Sequence, residues 1–396
     1  MLSTYREIFK VPGSLCFSSA ALIGRMPMSM TGIGIISMLS QMHGEYALAG
    51  AVAAAFALAS AVLGPQVSRL VDIYGQVRVL PIAALFSAAS LLALLLLARL
   101  ESPPWMLFGC AILSGCMPSM SAMVRARWTQ LLPQKSALQT AYAFESVLDE
   151  VSFIIGPPLS IGLSVAWFYE AGLLTALLLQ ILGVGIFVLN VKAEPKIDML
   201  SIKHGQSPLK VAAVQRLLLL LIFMGMIVGT IDVVSVAFAE GQGVPAAASI
   251  VLSVYAIGSC LAGLIFGALK IDIPLSRLLV FCGVATALTT IPLVAVSSIT
   301  GLSVVVFFSG LFFAPTMIVV MTLVEEIIPK SRMAEGFTWM ISGLGVGIAL
   351  GSGISGQIVD EFGVRFGFVV ALCAGFLSMI LIAFSLYKIP LGETAE

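Results

Sequence analysis

Charged side chains are scarce in this sequence. Only 10% of its 396 residues are Asp, Glu, Lys or Arg, whereas 60% are hydrophobic and the mean hydropathy is +1.10. A soluble chain carries about a quarter charged residues, so this composition excludes a soluble globular protein. The charges balance to a formal net charge of +0, which gives no indication of an anionic partner such as nucleic acid. We therefore expect an integral membrane protein.

The residues that enzymes and metal sites need are also few. The two histidines, His43 and His204, lie far apart, and no Ser/His/Asp arrangement or metal-ligand spacing occurs. We interpret the six cysteines, all within apolar stretches, as packing residues. The glycine-rich runs lack the lysine of a nucleotide-binding loop. The sequence thus predicts neither an enzyme nor a metal or other cofactor, and ATP-driven transport is disfavoured.

Long apolar runs recur along the chain instead. Each reaches the roughly 20 residues that a helix needs to cross a bilayer, and irregular backbone is not tolerated in lipid. We predict an all-α membrane protein with twelve transmembrane helices, at approximately 14–40, 46–67, 79–99, 105–127, 138–165, 170–192, 213–239, 246–268, 278–297, 301–325, 334–358 and 364–388.

A polar segment divides the predicted spans into two sets of six. It gives an N-terminal six-helix half at 1–192, a cytoplasmic linker at 193–212 and a C-terminal six-helix half at 213–396. A shift of 195 positions aligns the fifth span with the eleventh.

Basic residues orient the chain, because Lys and Arg are enriched in cytoplasmic loops. Of the 20, all except Arg25, Arg99 and Arg365 fall at one side of the predicted bundle. Both termini are therefore expected in the cytoplasm. We expect a multi-pass protein of the cell inner (plasma) membrane, of bacterial type.

The turn after the second predicted span carries a family pattern. Residues 68–78 read Ser-Arg-Leu-Val-Asp-Ile-Tyr-Gly-Gln-Val-Arg and resemble the G-x-L-x-D-R-x-G-R-x-R signature of the major facilitator superfamily. Asp72, Gly75 and Arg78 are kept, while a serine and an isoleucine replace the first glycine and the first arginine. With six plus six helices, the resemblance covers the whole chain.

In that superfamily this loop is a gate, so the resemblance implies gating roles for Arg69, Asp72, Gly75 and Arg78. Its aspartate meets the N-terminus of the eleventh helix and holds the two halves together on the cytoplasmic side. A carboxylate at a helix N-terminus gains roughly 0.3 to 1 kcal/mol, or up to about 2 when partly buried. Such a contact biases alternating access without locking it.

A second resemblance lies in the fifth predicted span. Residues 152–161 are similar to the antiporter motif G-x-x-x-G-P-x-x-G-G of proton-driven drug exporters, with Gly156 and Pro157 kept and two serines and an isoleucine in place of three glycines. The resemblance implies a close-packed, moving helix in which Gly156 and Pro157 take part in gating. A close-packed kink in any facilitator explains the same residues, and both interpretations stay open.

Three carboxylates share this span: Glu145, Asp149 and Glu150. A charge at the bilayer centre costs about 2.5 to 3.5 kcal/mol, so the helix must face protein or water. Arg25, in the first span, lies at similar depth, and we predict that it pairs with Asp149 or Glu150. Such a pair is either a constitutive fastening or part of a proton or substrate site. Three acids against one arginine leave a carboxylate that can load and unload protons.

Other charges leave alternatives open. Glu145 lies nearer the cytoplasm, where Arg125 or Arg127 at the end of the fourth span are further candidate partners. Asp232, in the seventh span, is either a second cavity carboxylate or an interfacial cap. The repeat between the fifth and eleventh spans gives Asp149 and Glu150 no acidic counterparts, which favours a functional role for them over a scaffold role.

Small residues repeat every three or four positions in several predicted spans. The second span has them from Gly50 to Gly64, the eighth from Ser259 to Gly267 and the eleventh from Gly343 to Ser355. In the superfamily these helices meet across the two halves, so the resemblance implies that the small residues lie at that interface.

These observations predict a secondary transporter that exports a small amphipathic molecule in exchange for protons. Asp149, Glu150 and Glu145 would carry the coupling and Arg25 would modulate them. The alternatives are a proton-coupled importer of a small metabolite and a non-transporting membrane receptor with this fold. The expected partners are the small-molecule substrate, protons and membrane lipid, with the chain acting as a monomer.

Overall fold

The computed structural model describes residues 2–43, 46–195, 207–244, 247–269 and 273–385. Apart from four short 3-10 helices, the regular structure in these ranges is α-helical. The α-helices are, in chain order, α1 (Leu2–Ile8), α2 (Ser14–His43), α3 (Tyr46–Tyr74), α4 (Gln76–Arg99), α5 (Pro104–Ser114), α6 (Met120–Leu131), α7 (Lys135–Ala166), α8 (Ala171–Leu189), α9 (Ala212–Gly241), α10 (Ala247–Ala268), α11 (Leu275–Leu288), α12 (Ile299–Ile327), α13 (Met333–Phe362) and α14 (Val364–Ser385). The middle of the predicted linker 193–212 and the end of the predicted helix 364–388 lie outside the described residues.

Most predicted spans agree with these helices. Within the described residues, eleven helices are long and apolar enough to cross a membrane. The prediction is wrong at 105–127, where α5 and α6 replace a single helix. Pro118 has no backbone N–H and Gly115 is a weak helix former, so the helix stops at Ser114 and a new one begins at Met120.

The signature turn is tighter than the sequence predicts. Helix α3 extends beyond the predicted span to Tyr74, so that Arg69 and Asp72 lie in its last turns. Gly75 follows with a φ of 91°, a conformation that glycine adopts without strain, and α4 begins at Gln76. A single glycine therefore joins α3 to α4 and places Asp72 beside the turn.

The helices on either side of the linker form two groups, which we call the N-terminal half (α1–α8) and the C-terminal half (α9–α14). In the N-terminal half, α2 packs on α3, α7 and α8. In the C-terminal half, α9 packs on α13 and α14, and α10 packs on α12. The halves meet where α3 and α6 contact α13 and where α7 contacts α10 and α12. The candidate functional residues of α7 therefore lie on a helix that reaches both halves.

The halves are joined at the end of the bundle that contains the α3–α4 turn, which we call the closed end. There the hydroxyls of Ser68 and Thr338 are 2.7 Å apart, linking α3 to α13. The Thr140 hydroxyl of α7 donates to the carbonyl of Gly267 in α10 at 2.7 Å. Both bonds are formed by buried side chains, so water is excluded from this part of the interface.

Helices α3 and α13 separate toward the opposite end of the bundle. A Cβ at Gly64 of α3 would lie 3.6 Å from Thr338, whereas a Cβ at Gly50, four turns earlier, would meet no described atom within 4 Å. On α13, Gly345 lies seven residues after Thr338 and hence on nearly the same face, and it too has no described atom within 4 Å of its Cβ position. The bundle is thus closed at the end with Asp72 and open between these helices at the other.

The small residues divide between two kinds of contact. In α10, Gly263 and Gly267 face α7 of the other half, as the resemblance implies. In α13, by contrast, Gly343, Gly347 and Gly351 face α9 within their own half, so the interface role expected of them is wrong. Because these glycines have no Cβ atoms, the backbones of α9 and α13 come into contact. The glycines therefore pack two helices of the same half together and do not lie at the interface between the halves.

Candidate functional site

Arg25 of α2 is the centre of a buried charge cluster and is only 4% exposed. Its guanidinium forms ion pairs with Glu145 and with Asp149 of α7, the latter at 2.8 Å. It also donates to the carbonyls of Glu145 at 3.0 Å and Ala21 at 3.2 Å. Of the two predicted alternatives, the pair with Asp149 is confirmed and a pair with Glu150 is not formed, while Glu145 is an additional partner. Four acceptors compensate a cation that cannot lose its proton.

Glu145 is completely buried and fully bonded. Besides the Arg25 ion pair, it accepts hydrogen bonds from the Ser18 hydroxyl at 2.7 Å and from the Trp128 indole N–H at 2.8 Å. Neither arginine of α6 contacts it, because α6 turns Trp128 toward α7 at this point. Ser18 and Trp128 carry no sequence signal for this role, since both contacts depend on how α2 and α6 pack around α7.

Asp149 joins three helices of the N-terminal half. In addition to Arg25, its carboxylate accepts from Arg125 at 2.7 Å and from the Ser121 hydroxyl at 2.5 Å, both of α6. Arg125 is fully buried, although the sequence placed it near the membrane edge. Arg25, Arg125, Glu145 and Asp149 therefore form a set of two cations and two carboxylates, which we call the balanced cluster.

Arg127, the other arginine of α6, lies apart from this cluster. It is completely buried, and its guanidinium carbon is 3.6 Å from the centre of the Phe187 ring. Its Nε donates to the Gln76 side-chain oxygen at 2.7 Å. The stacking and the hydrogen bond fasten α6 to α8 and α4, a packing role rather than a cavity role.

Glu150 projects about 100° around α7 from Asp149, toward the other half. Among the described residues it forms no ion pair, and its Oε1 accepts a hydrogen bond from the Ser259 hydroxyl of α10 at 3.1 Å. This bond crosses between the halves in the middle of both helices. Of the three acids in α7, Glu150 is the one without an arginine.

Asp232 lies within α9, which continues to Gly241, so it is not a cap at the helix end. Its side chain is partly exposed and has neither an ion pair nor a hydrogen bond within the described part of the chain. It lies within electrostatic range of Glu150. The interpretation of Asp232 as a second cavity carboxylate stays a prediction.

Asp72 binds the N-terminus of α13 across the halves. Its Oδ1 accepts from the Ala334 N–H at 3.2 Å and its Oδ2 from the Glu335 N–H at 2.8 Å, so the expected contact is confirmed. These N–H groups belong to the first helical turn, where no intrahelical acceptor exists. Arg69 and Arg78 are exposed and have no partner among the described residues, so their gating roles stay predictions.

A carboxylate that the sequence did not single out supports the same turn. Glu194, just after α8, accepts from the Val77 N–H at the start of α4 at 2.9 Å. It caps α4 much as Asp72 caps α13. No motif marks this position, and its place at the start of the linker is the only sequence signal.

The motif-like stretch of α7 packs closely on α2. Helix α7 runs unbroken through Pro157. Gly156 lies so near Ser29 that a Cβ there would overlap the Ser29 hydroxyl, which itself donates to the Ser152 carbonyl at 2.9 Å. The predicted close packing is present, and it lies within the N-terminal half.

The described residues thus define a multi-pass helical membrane protein whose two halves close at one end through a carboxylate–helix contact, with a buried charge cluster within the N-terminal half and one carboxylate, Glu150, bonded across the halves. The chain belongs to the major facilitator superfamily. The family model of that description matches residues 17–269 and 217–395.

Solved structures share this fold at low sequence identity. The human organic anion transporter MFSD10 (TETRAN) matches with a TM-score of 0.72 and 12% identity, over 94% of this chain and 100% of that one. A bacterial homologue of the iron transporter ferroportin, in an outward-facing state, matches with a TM-score of 0.71 and 16% identity, over 93% and 98%. The E. coli fucose:proton symporter FucP matches with a TM-score of 0.70 and 11% identity, over 94% and 98%. No curated protein matches the sequence.

Proposed function

We propose that this chain is a secondary active transporter that exports a small amphipathic molecule in exchange for protons by alternating access. The proposal counts α5 and α6 as one interrupted span, which gives twelve spans. It places both termini and the closed end on the cytoplasmic side of the plasma membrane. The observation that carries it is Glu150, a carboxylate at membrane depth that has no basic partner in the described chain and bonds across the halves.

A carboxylate in this position does not stay ionised unless a cation or several hydrogen-bond donors compensate its charge. Removing a charge from water carries a penalty on the order of several kcal/mol per ion, and the Ser259 hydroxyl compensates only part of it. The other titratable groups within electrostatic range of Glu150 are Asp149, Asp232, Tyr255 and Cys260, none of which is a cation. Glu150 therefore takes up a proton or a bound cation more readily than the acids of the balanced cluster do.

The position of Glu150 connects this proton to conformational change. Its hydrogen bond to Ser259 joins α7 to α10, and these helices belong to different halves. Alternating access changes the contacts between the halves, so the environment of Glu150 differs between the two states. A group whose environment differs between two states binds its proton with different affinity in each, which is the requirement for coupling.

The balanced cluster serves a different purpose in this proposal. It ties α2, α6 and α7 together within the N-terminal half, and both of its carboxylates already have arginine partners. The Asp149 side chain is 24% exposed, so it is the one member of the cluster that faces the space between the halves. We assign it a secondary coupling role, in which it exchanges Arg25 or Arg125 for a proton during the cycle.

Asp72 provides the gate. Its two hydrogen bonds to α13 exist only while the closed end is closed, so opening requires that both are broken. Gly75 allows the sharp turn that places Asp72 there. The resemblance of residues 152–161 to the antiporter motif supports the exporter interpretation, whereas the close packing of Gly156 on α2 agrees with any facilitator.

Proton flux in reconstituted vesicles tests the proposal. A compound that stabilises the purified protein in a thermal-shift screen is added to one side, and a pH-sensitive dye reports proton movement. We expect protons to move opposite to the compound, and we expect Glu150→Gln to abolish this movement. The matched control is Glu361→Gln, which alters an exposed carboxylate near the end of α13.

Two results would contradict the proposal. Movement of protons in the same direction as the compound would assign import by symport instead of exchange. Undiminished proton flux in a folded Glu150→Gln variant would remove Glu150 from the coupling mechanism.

A further inference from the structure

We propose that Glu150, Asp232 and Tyr255 form a subsite for an organic cation. The two carboxylates would bind its positive group, and the rings of Tyr255 and Phe313 would bind its apolar part. This inference rests on the proposed transport function and specifies the charge class of the transported molecule.

The distribution of charge is the first argument. The balanced cluster contains two arginines and two carboxylates, so its net charge is zero and both arginines are already paired. Glu150 and Asp232 remain, and within the described residues neither forms an ion pair. They lie within electrostatic range of each other, where two negative charges repel. A bound cation relieves this repulsion, whereas a bound anion would add to it.

Tyr255 of α10 is an independent observation. The residue is only 8% exposed, yet its hydroxyl has no hydrogen-bond partner in the described part of the chain. It lies within electrostatic range of both Glu150 and Asp232. The hydroxyl oxygen is not among the fully buried polar atoms that lack a partner, so it borders accessible space and is placed to contact a ligand held between the two carboxylates.

The rings beside the carboxylates determine which kind of cation fits. The centres of the Tyr255 and Phe313 rings are 6.1 Å apart with an interplanar angle of 53°. Helices α10 and α12 approach to backbone contact here, since a Cβ at Gly310 would overlap the Tyr255 carbonyl. This contact holds the Tyr255 backbone in place. Aromatic faces attract organic cations by about 0.5 to 2 kcal/mol, so the pair favours an organic cation over a small hydrated ion.

The subsite draws on both halves of the protein. Glu150 belongs to α7 of the N-terminal half, while Asp232, Tyr255 and Phe313 belong to α9, α10 and α12 of the C-terminal half. A ligand bound here would contact both halves at once. Its affinity would therefore change when the halves move, as a transported molecule requires.

Equilibrium binding of radiolabelled tetraphenylphosphonium to the full-length protein in detergent tests the subsite directly, without transport. We expect saturable binding that benzyltrimethylammonium displaces and that sodium, manganese(II) and benzenesulfonate do not. Glu150→Gln and Asp232→Asn should each weaken binding about tenfold or more, because each removes one of the two carboxylates.

Two aromatic variants and one control separate the contributions. Tyr255→Leu should weaken binding by about three- to tenfold because it removes the ring, while Tyr255→Phe keeps the ring and should fall between this variant and wild type. Glu361→Gln should bind as wild type. Size-exclusion chromatography and thermal unfolding establish that each variant is folded.

Several results would overturn the inference. One is unchanged affinity in the folded Glu150→Gln/Asp232→Asn double variant, and another is tight binding of benzenesulfonate. Displacement by sodium or manganese(II), with Tyr255→Leu unaffected, would assign an inorganic cation instead. Wild-type protein that exchanges protons in vesicles but does not bind tetraphenylphosphonium would refute the subsite and leave the proposed function intact. Specific binding without any proton exchange would support the subsite and refute the proposed function.

Discussion

Replacing Asp72 by asparagine should shift the protein toward opening of the closed end. The carboxylate accepts two backbone hydrogen bonds at the N-terminus of α13 and is partly exposed. A partly buried carboxylate in this position contributes about 1 to 2 kcal/mol. Since 1.4 kcal/mol corresponds to a factor of ten, the ratio of closed to opened molecules should fall about five- to thirtyfold.

Other contacts at the closed end do not mask this effect. The ion pair between Lys135 and Glu326 is 2.6 Å long, but the lysine side chain is 81% exposed. An exposed pair contributes about 0 to 1 kcal/mol. Glu326→Gln should therefore shift the same equilibrium less than Asp72→Asn does, although both residues join the same two halves.

Distances between spin labels measure this equilibrium. Labels at Ser136 and Arg277, both exposed and at the closed end of different halves, are introduced after replacement of the six native cysteines. Pulsed electron–electron double resonance in lipid nanodiscs should show that the longer distance between the two labels is more populated in Asp72→Asn than in wild type or Glu361→Gln. An unchanged distance distribution, or a shift toward the shorter distance, would refute the gate assignment.

Three further outcomes follow from the described contacts. Arg25→Met should lower the free energy of unfolding, measured by thermal or denaturant unfolding, by about 3 to 5 kcal/mol, because Glu145 and Asp149 each lose an ion-pair partner. Arg99→Met, which removes an exposed ion pair, should lower it by about 1 kcal/mol or less in the same assay. Asp149→Asn should reduce proton exchange less than Glu150→Gln, and the reverse order of the two fluxes would move the primary coupling role to Asp149. Burial raises the pKa of Tyr5 to about 12, so at physiological pH its hydroxyl remains a donor to a carbonyl of α10. Tyr5→Phe removes this hydrogen bond and should shift the equilibrium measured with the spin labels toward opening by about 0.5 to 1.5 kcal/mol. No shift would mean that α1 does not help to hold the closed end.

Contacts at helix ends were the part of the site that the sequence predicted best. The position of Asp72, just before a turn glycine, together with the family resemblance, was enough to predict its contact with the N-terminus of α13. Such a contact depends on local helix-terminus chemistry and on an interface that the family shares. Glu194 has the same chemistry at α4 but no motif around it, and it was therefore missed.

The partners of the acids in α7 were harder to predict. The 100° rotation per residue correctly separated Asp149 from Glu150 around the helix. It did not reveal that Arg125 reaches Asp149, because the fourth predicted span is interrupted and the depth of residues after the interruption cannot be counted from one end. Nor does it show that Trp128 rather than an arginine of α6 meets Glu145, since that depends on how α6 packs against α7.

The difference between Asp149 and Glu150 decides how the charges of α7 can act. These residues are adjacent in sequence, but Asp149 bonds only to helices of its own half, whereas Glu150 bonds to α10 of the other half. When two halves move as units, contacts within one half persist and contacts between them change. A proton on Glu150 is therefore coupled to the movement directly. A proton on Asp149 is coupled only if it first displaces an arginine, and the cost of breaking a buried pair makes that the slower and less favourable route.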